Sequence, residues 1–328
     1  MYKEKKSTIP RILVKQSVQV FHNATSVFDF LFFSGTPELM FPPIFIVGAP
    51  RSGTTLFYQV LTHSFETAYL PNIANWFYRC PLTATKIGFL FCPTYRSSFS
   101  SRFGYEKGCM APSEAGNIWN RWFPHEGREK FNYTPKGYLN ENDRKEIFSL
   151  ITHLERLFHA PFLSKNVKMS VRIPAVSEIF PEAIFLYIQR NPLHAAASIL
   201  RIRRQNQLKW WSVMPEEIDR IKSLPEIEQV CHQVFWVEKD IERDLRRFFP
   251  EQYIRISYED LCRNPNETLS GISEFLEKKG VSVRVKSRLD DVTFRVVEAS
   301  ENQWVSRSDL DLMERILQDL YSKHRDAK

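Results

Sequence analysis

The sequence predicts an α/β protein: a parallel sheet flanked by helices, with an anion-gripping loop behind its first strand. Three observations predict it. Short apolar runs at 44–47, near 162–165, at 184–189 and at 252–257 have strand length, and each lies next to helical sequence; that alternation belongs to parallel sheets with helical crossovers. The first run, Ile44 to Val47, leads directly into the glycine-bounded Gly48-Ala-Pro-Arg-Ser-Gly53 and then into a helix from Thr54. Amphipathic stretches of helical period occupy 140–160, the segment from Pro225, and 308–324.

Taken in order, residues 1–40 read as an N-terminal helical extension ending near Ser34-Gly-Thr-Pro37, and 41–328 as a single domain. In the first strand–loop–helix unit, Leu56, Val60 and Leu61 share one helical face. Residues 67–139 carry few clear periodic elements and many aromatics. The 140–160 helix has Ile147, Leu150, Ile151, Leu154 and Leu157 or Phe158 on one stripe. The helix from Pro225 places Ile227, Val230 or Cys231, Val234, Val237, Ile241, Leu245 and Phe248 on a stripe, with Trp236 off it, and reads as structural. Asn264-Pro265 reads as an N-cap and first turn, with Leu269, Ile272 and Leu276 buried.

The loop carries the chemistry. A glycine turn opening a helix converges backbone N–H groups and the positive helix end on one point, which suits a phosphate-like group. The frame G-x-x-x-x-G of the Walker A pattern is kept from Gly48 to Gly53, but Thr54 stands at the lysine position and Thr55 follows. The positive charge has moved into the loop, at Arg51. A guanidinium, N–H groups and hydroxyls can hold an anion without an obligatory metal. An ordinary strand-to-helix turn is the plainer alternative, but Pro-Arg-Ser-Gly-Thr-Thr after an apolar strand is far narrower than a lone glycine loop.

This segment resembles the sulfotransferases that use 3′-phosphoadenosine 5′-phosphosulfate (PAPS). The resemblance implies a P-loop-NTPase-like sulfotransferase fold in which Arg51, Ser52, Gly53, Thr54 and Thr55 hold the 5′-phosphosulfate. It also implies a second signature: a strand, an arginine, and a serine two helical turns on, holding the 3′-phosphate. Glu182-Ala-Ile-Phe-Leu-Tyr-Ile-Gln-Arg190-Asn-Pro-Leu-His-Ala-Ala-Ala-Ser198 supplies it, with Arg190 and Ser198 in those places. Phe162-Leu-Ser-Lys-Asn166 resembles the family segment whose lysine sits near the transferring group, here Lys165. Ile254-Arg-Ile-Ser-Tyr-Glu-Asp-Leu261 resembles the strand whose tyrosine lies near the donor, here Tyr258, and Ser300-Glu-Asn-Gln-Trp304 a loop closing over it. The likeness covers roughly 43–66 and 160–310 and is nearest to the branch that includes tyrosylprotein sulfotransferases and bacterial relatives. That branch carries a basic glutamate about twenty residues after the loop arginine. Here the neighbourhood reads Tyr69-Leu-Pro-Asn72-Ile-Ala-Asn-Trp76 without an acid, and Glu66 falls too early.

The base must therefore come from elsewhere. Residues 67–139 are the expected acceptor-binding insertion, with Trp76, Phe77, Tyr78, Phe89, Phe91, Tyr95, Phe99, Phe103, Tyr105, Trp119, Trp122 and Phe123 as cleft-lining or core aromatics. Within it, Ser113 could cap a helix whose first turn holds Glu114, and His125 lies a few turns on. Glu114 is the first candidate for the base that takes the acceptor's hydroxyl proton, and His125 the second. The plain role of Glu114 would be a carboxylate on a helix dipole.

Composition bounds the rest. The 328 residues suffice for a large core, and 43% hydrophobic with 25% charged residues is ordinary globular usage. The net charge of +7 fits an anionic ligand such as PAPS; no nucleic-acid-binding motif accompanies it. Five scattered cysteines without C-x-x-C, and eight histidines without H-E-x-x-H, predict no metal site; read as free thiols, the cysteines favour a reducing, cytoplasmic setting. No apolar run approaches the ~20 residues of a membrane span. The expected activity is transfer of a sulfuryl group from PAPS to a hydroxyl acceptor (glycan, lipid or small molecule), leaving adenosine 3′,5′-bisphosphate. The rivals are a non-catalytic nucleotide-binding relative and a P-loop kinase or NTPase, the latter disfavoured by Thr54 and by Gln189-Arg190 where a Mg²⁺-holding acid would stand.

Overall fold

A computed structural model describes residues 28–324 except 30–32, 34, 36, 94, 101–104, 124–131, 290–291, 293 and 300–302. The N-terminal extension, His125 and Phe103 therefore lie outside the described residues, wholly or in large part.

Four parallel strands form the centre: β1 (Ile44–Val47), β2 (Leu163–Lys165), β3 (Ile184–Gln189) and β4 (Tyr253–Ser257), in the order β2-β1-β3-β4. The register sets Ile46 beside Lys165, Val47 beside Tyr187, and Gln189 beside Ser257. All four C-terminal ends thus open on the same sheet edge, where open α/β sheets bind ligands. The helices, in chain order, are α1 (Thr54–Ser64), α2 (Asn72–Trp76), α3 (Pro81–Phe91), α4 (Gly116–Trp119), α5 (Glu141–Phe158), α6 (Ile173–Val176), α7 (Pro192–Asn206), α8 (Ile218–Ile221), α9 (Glu226–Phe248), α10 (Tyr258–Arg263), α11 (Pro265–Lys278) and α12 (Arg307–Lys323).

Strand alternation divides the core. Ile44, Ile46, Ile184, Leu186 and Ile188 face α1, α10 and α11 through Phe57, Val60, Leu61, Leu261, Leu269 and Ile272. Phe45, Val47, Phe185 and Tyr187 face the opposite layer, which gathers Ile147, Leu150, Ile151 and Leu154 of α5 with Val230, Val234, Val237 and Ile241 of α9. Strands buried on both faces need apolar residues at every position, which is why they read as continuous runs. The helix ends follow local chemistry. Asn140 caps α5 by accepting from the Asp143 N–H, Asn191 caps α7 by accepting from Leu193 N–H at 2.9 Å, and Ser306 and Asp309 form a capping box on α12. Asn264 precedes α11 as expected but makes no side-chain cap.

Three expectations are corrected. The 67–139 segment holds helices α2, α3 and α4; the first and last are four or five residues, too short for periodicity to register. No helix starts at Glu114. The Ser113 hydroxyl accepts from Ala115 N–H at 3.0 Å, Ala115 takes a left-handed φ of 51°, and α4 begins only at Gly116. Not all cysteines are thiols: Cys92 and Cys109 form a disulfide, while Cys80, Cys231 and Cys262 are buried outside it. Spacing alone could not show that the turn after α3 returns Cys109 to the end of that helix. Among the described residues, no helix is long and apolar enough to cross a membrane.

Candidate active site

The glycine loop is built by two close approaches. A Cβ on Gly48 would stand 2.5 Å from Ser52 Oγ and 2.6 Å from the Ile188 carbonyl oxygen. Gly53 has φ +90°, and a Cβ there would lie 2.1 Å from Cδ2 of Tyr258. Only glycine fits either place. Arg51, at φ 69°, also takes the left-handed turn that folds the loop back. Ser170, in the single-turn 3₁₀ helix after β2, clamps the loop start: its hydroxyl accepts from Gly48 N–H at 3.0 Å and donates to the Gly48 carbonyl at 2.9 Å.

The edge of the sheet opens into a cleft of about 960 Å³. Arg51, Gly53, Thr54, Thr55, Glu114, Lys165, Arg190, Ser198 and Tyr258 all line it. The structure thus brings together every described site residue except Ser52, whose side chain is buried against the loop. The two signatures touch. The Arg51 guanidinium donates through Nε to Ser198 Oγ at 2.9 Å, and Arg190 donates to the Arg51 carbonyl at 3.1 Å and to the Val297 carbonyl. Arg190 also lies over the Tyr258 ring, 4.7 Å from its centroid.

The electrostatics describe an anion site. Burial pulls Arg51 down to about 10, and the neighbouring charges of Arg201 and Arg190 add to that. Burial likewise pulls Arg190 down. Converging, half-desolvated guanidiniums are costly unless an anion joins them. Arg190 lines the cleft, and its buried Nε makes no hydrogen bond within the protein. Guanidinium N–H groups of this kind suit a phosphate or sulfate group.

At the far side, Lys165 and Glu114 form an ion pair, with the lysine side chain 3% exposed and the carboxylate 32%. Lys165 also donates to Thr55 Oγ1 at 2.8 Å. Asn166 holds the Glu114 backbone, donating to its carbonyl at 2.8 Å. A cation, a carboxylate and a hydroxyl of the anion loop therefore meet at one point of the cleft.

Sequence reasoning missed the roof. Leu208, Trp210, Trp211 and Ser212 line the cleft, and Arg51 lies 5.9 Å from the Trp211 ring centroid. Fully buried Gln233 of α9 fixes this loop by donating to the carbonyls of Trp211 at 2.9 Å and Val213 at 2.7 Å. The adjacent tryptophans in an otherwise polar stretch were the available signal. The described aromatics of 67–139 instead include core (Trp119, Trp122, Phe123), surface (Trp76, Phe89, Phe91) and half-buried residues, and none of the described ones lines the cleft. Asn72, where an acid was sought, is buried and donates to the carbonyls of Glu106 and Gly108, both at 2.8 Å.

The family model described as Sulfotransferase family matches residues 42–279. The chain belongs to the sulfotransferase family. No curated protein matches it in sequence. Sulfotransferase STF9 of Mycobacterium avium superposes with a TM-score of 0.51 at 14% identity, over 94% of this chain and 81% of that one. Similar too, at TM-scores of 0.42 and 0.33, are a sulfotransferase of Alicyclobacillus acidocaldarius (19% identity, 87% and 96% covered) and mouse sulfotransferase SULT7A1 complexed with PAP (12% identity, 94% and 91% covered). The first of these likenesses speaks for the fold; the family match supports an enzyme of the sulfotransferase type.

Proposed function

We propose that this sulfotransferase transfers a sulfuryl group from PAPS to a hydroxyl acceptor, without a metal. The observation that carries the reading is the one cleft lined both by Arg51, Arg190 and Ser198, which touch one another, and by the Lys165–Glu114–Thr55 cluster. Arg51, the loop N–H groups, Ser52, Gly53, Thr54 and Thr55 would bind the 5′-phosphosulfate; Arg190 and Ser198 the 3′-phosphate; and Tyr258 would face the nucleotide beside Gly53.

In the transfer, the acceptor oxygen bonds to sulfur in line with the breaking bond between sulfur and the donor's phosphate oxygen. Glu114 takes the hydroxyl proton. Its neutralisation frees Lys165 from the ion pair, so that the ammonium meets the charge growing on the departing oxygen. The products are a sulfate ester and adenosine 3′,5′-bisphosphate. His125 is the next candidate for the base, and residues 67–139 remain the proposed acceptor-binding insertion through Glu114, Gly116 and Asn120, which line the cleft. The Cys92–Cys109 bridge suits an oxidising compartment rather than the cytoplasm.

The test has two arms. Titration calorimetry should show adenosine 3′,5′-bisphosphate binding well ahead of adenosine 5′-monophosphate. Incubation with radiolabelled PAPS and a panel of glycan, lipid and phenolic hydroxyl acceptors should label one class. Tight nucleotide binding without transfer to any acceptor would move the protein to the non-catalytic reading. Magnesium-dependent ATP turnover would move it to the P-loop hydrolases.

A further inference from the structure

The outward face of α3 carries a surface that the transfer chemistry does not use. One stripe of this helix, Pro81, Ala84, Thr85 and Gly88, is buried. Gly88 fits there because a Cβ would stand 2.4 Å from the Met110 sulfur. On the opposite side Ile87, Leu90 and Phe91 fall at i, i+3 and i+4, a single face, and are 45%, 71% and 80% exposed. Phe89 is half exposed beside them, its ring centroid 4.8 Å from that of Phe158. From Ile87 to Phe91, α3 is therefore apolar all round, which a helix packed on one side does not require.

Charge identifies the occupant. From 67 to 113 the sequence holds Arg79, Lys86, Arg96, Arg102 and Lys107 but only one acid, Glu106. Glu106 is buried, and that burial pushes its carboxyl up to about 7. Lys86, Arg96 and Lys107 are exposed. Lys86 sits one turn before Leu90, and the Cys92–Cys109 bridge ties the end of α3 to the segment that carries Lys107 and the exposed Tyr105. An apolar helix tip whose own segment exposes lysine and arginine but no carboxylate complements an anionic bilayer surface. At eleven residues α3 is too short to span one.

We propose that this face docks the protein on an anionic lipid bilayer, with Ile87, Leu90 and Phe91 inserted at the interface and Lys86, Arg96 and Lys107 against lipid phosphates. The docking face is joined to the cleft wall by packing. Helix α3 packs on α2 and α2 on α4, and the Asn75 side chain accepts from Asn117 N–H at 2.9 Å, beside the segment that presents Glu114. A docked protein would work next to the membrane surface.

Sedimentation of the full chain with vesicles tests this independently of transfer activity. Vesicles of phosphatidylcholine with roughly a third phosphatidylglycerol should capture the protein at low salt, and pure phosphatidylcholine should not. Leu90→Glu/Phe91→Glu should reduce capture at least about tenfold, given the apolar area both side chains would bury. Lys86→Glu/Lys107→Glu should weaken capture and flatten its salt dependence. All four positions are exposed, so melting temperatures should stay near that of the parent. Failure to bind anionic vesicles, or equal binding by the Leu90→Glu/Phe91→Glu variant, overturns the proposal. A protein dimer in ultracentrifugation that this variant dissolves would also overturn it, by making the face a contact between copies.

Discussion

Replacing Glu114 by glutamine separates its two possible roles, base and counter-ion. The side chain keeps its shape and an oxygen that can accept from Lys165, but cannot take a proton. Lys165 is 3% exposed at its side chain, so loss of its partner leaves a nearly buried ammonium. Removing one member of a buried pair typically costs 3–5 kcal/mol. Here the carboxylate is about a third exposed and Thr55 Oγ1 still accepts from Lys165, so about 1–2 kcal/mol is expected, a melting drop of a few degrees. The loss as a base is larger: about a hundredfold to ten-thousandfold in kcat, or roughly 2.7–5.4 kcal/mol of barrier. The assay is steady-state transfer to the best acceptor at a temperature where the variant is folded by circular dichroism. Acceptor KM and product-nucleotide Kd should move little. Lys165→Ala should also cut kcat strongly, and the double variant should be no slower than the worse single one, because the pair acts as a unit. A folded Glu114→Gln enzyme with near-parental kcat would refute the reasoning. Glu114 would then be the counter-ion of Lys165, and His125 the next residue to change.

Arg190→Ala removes a charge-assisted contact worth roughly 1.5–3 kcal/mol, so adenosine 3′,5′-bisphosphate should bind about tenfold to a hundredfold more weakly in calorimetry; adenosine 5′-monophosphate should scarcely notice, and equal losses would refute the 3′-phosphate assignment. Transfer should persist in a chelator if, as proposed, guanidiniums and N–H groups hold the donor; activity abolished by chelation and restored by Mg²⁺ alone would contradict that. Glu155, fully buried, is raised by burial to about 7. Its folded form therefore holds a proton that the unfolded chain releases near the ordinary 4.5, and its contribution to stability falls as pH rises between these values. Glu155→Gln should match the parent near pH 5 and gain on it by on the order of 1–3 kcal/mol near pH 8 in urea unfolding; a constant difference across that range would refute the linkage.

The residues proposed to hold the donor were legible because their placement is local. Each element ends where a strand meets a loop. Arg51 follows β1, Lys165 ends β2, Arg190 follows β3 and Tyr258 follows β4, so four short sequence patterns and one parallel register place all of them on one edge. The glycines are legible for the same reason: Gly48 and Gly53 answer to contacts made at the strand ends. Long amphipathic helices such as α5 and α9 fell where their stripes placed them, within a residue or two.

The acceptor half has no such grammar. Glu114 reaches Lys165 not through a helix first turn but through a left-handed Ala115 and a side-chain bond from Asn166, some fifty residues along the chain. Trp210 and Trp211 enter the cleft because a glutamine on a distant helix holds their loop by two carbonyls. Neither arrangement has a period or a motif, since both are set by side-chain hydrogen bonds to backbone carbonyls far along the chain. The same physics explains why the aromatic count of 67–139 misdirects. Trp119 and Phe123 are spent on the core beneath α4, while Trp76 at the end of α2 and Phe89 and Phe91 on α3 are exposed away from the cleft. Acceptor choice should therefore respond to changes at Trp210, Trp211 and Gln233, and donor affinity to changes at the strand ends. Gln233→Leu, which keeps the volume of the side chain but releases both carbonyls, is the substitution that would reveal this division: it should raise acceptor KM while leaving the affinity for adenosine 3′,5′-bisphosphate in place.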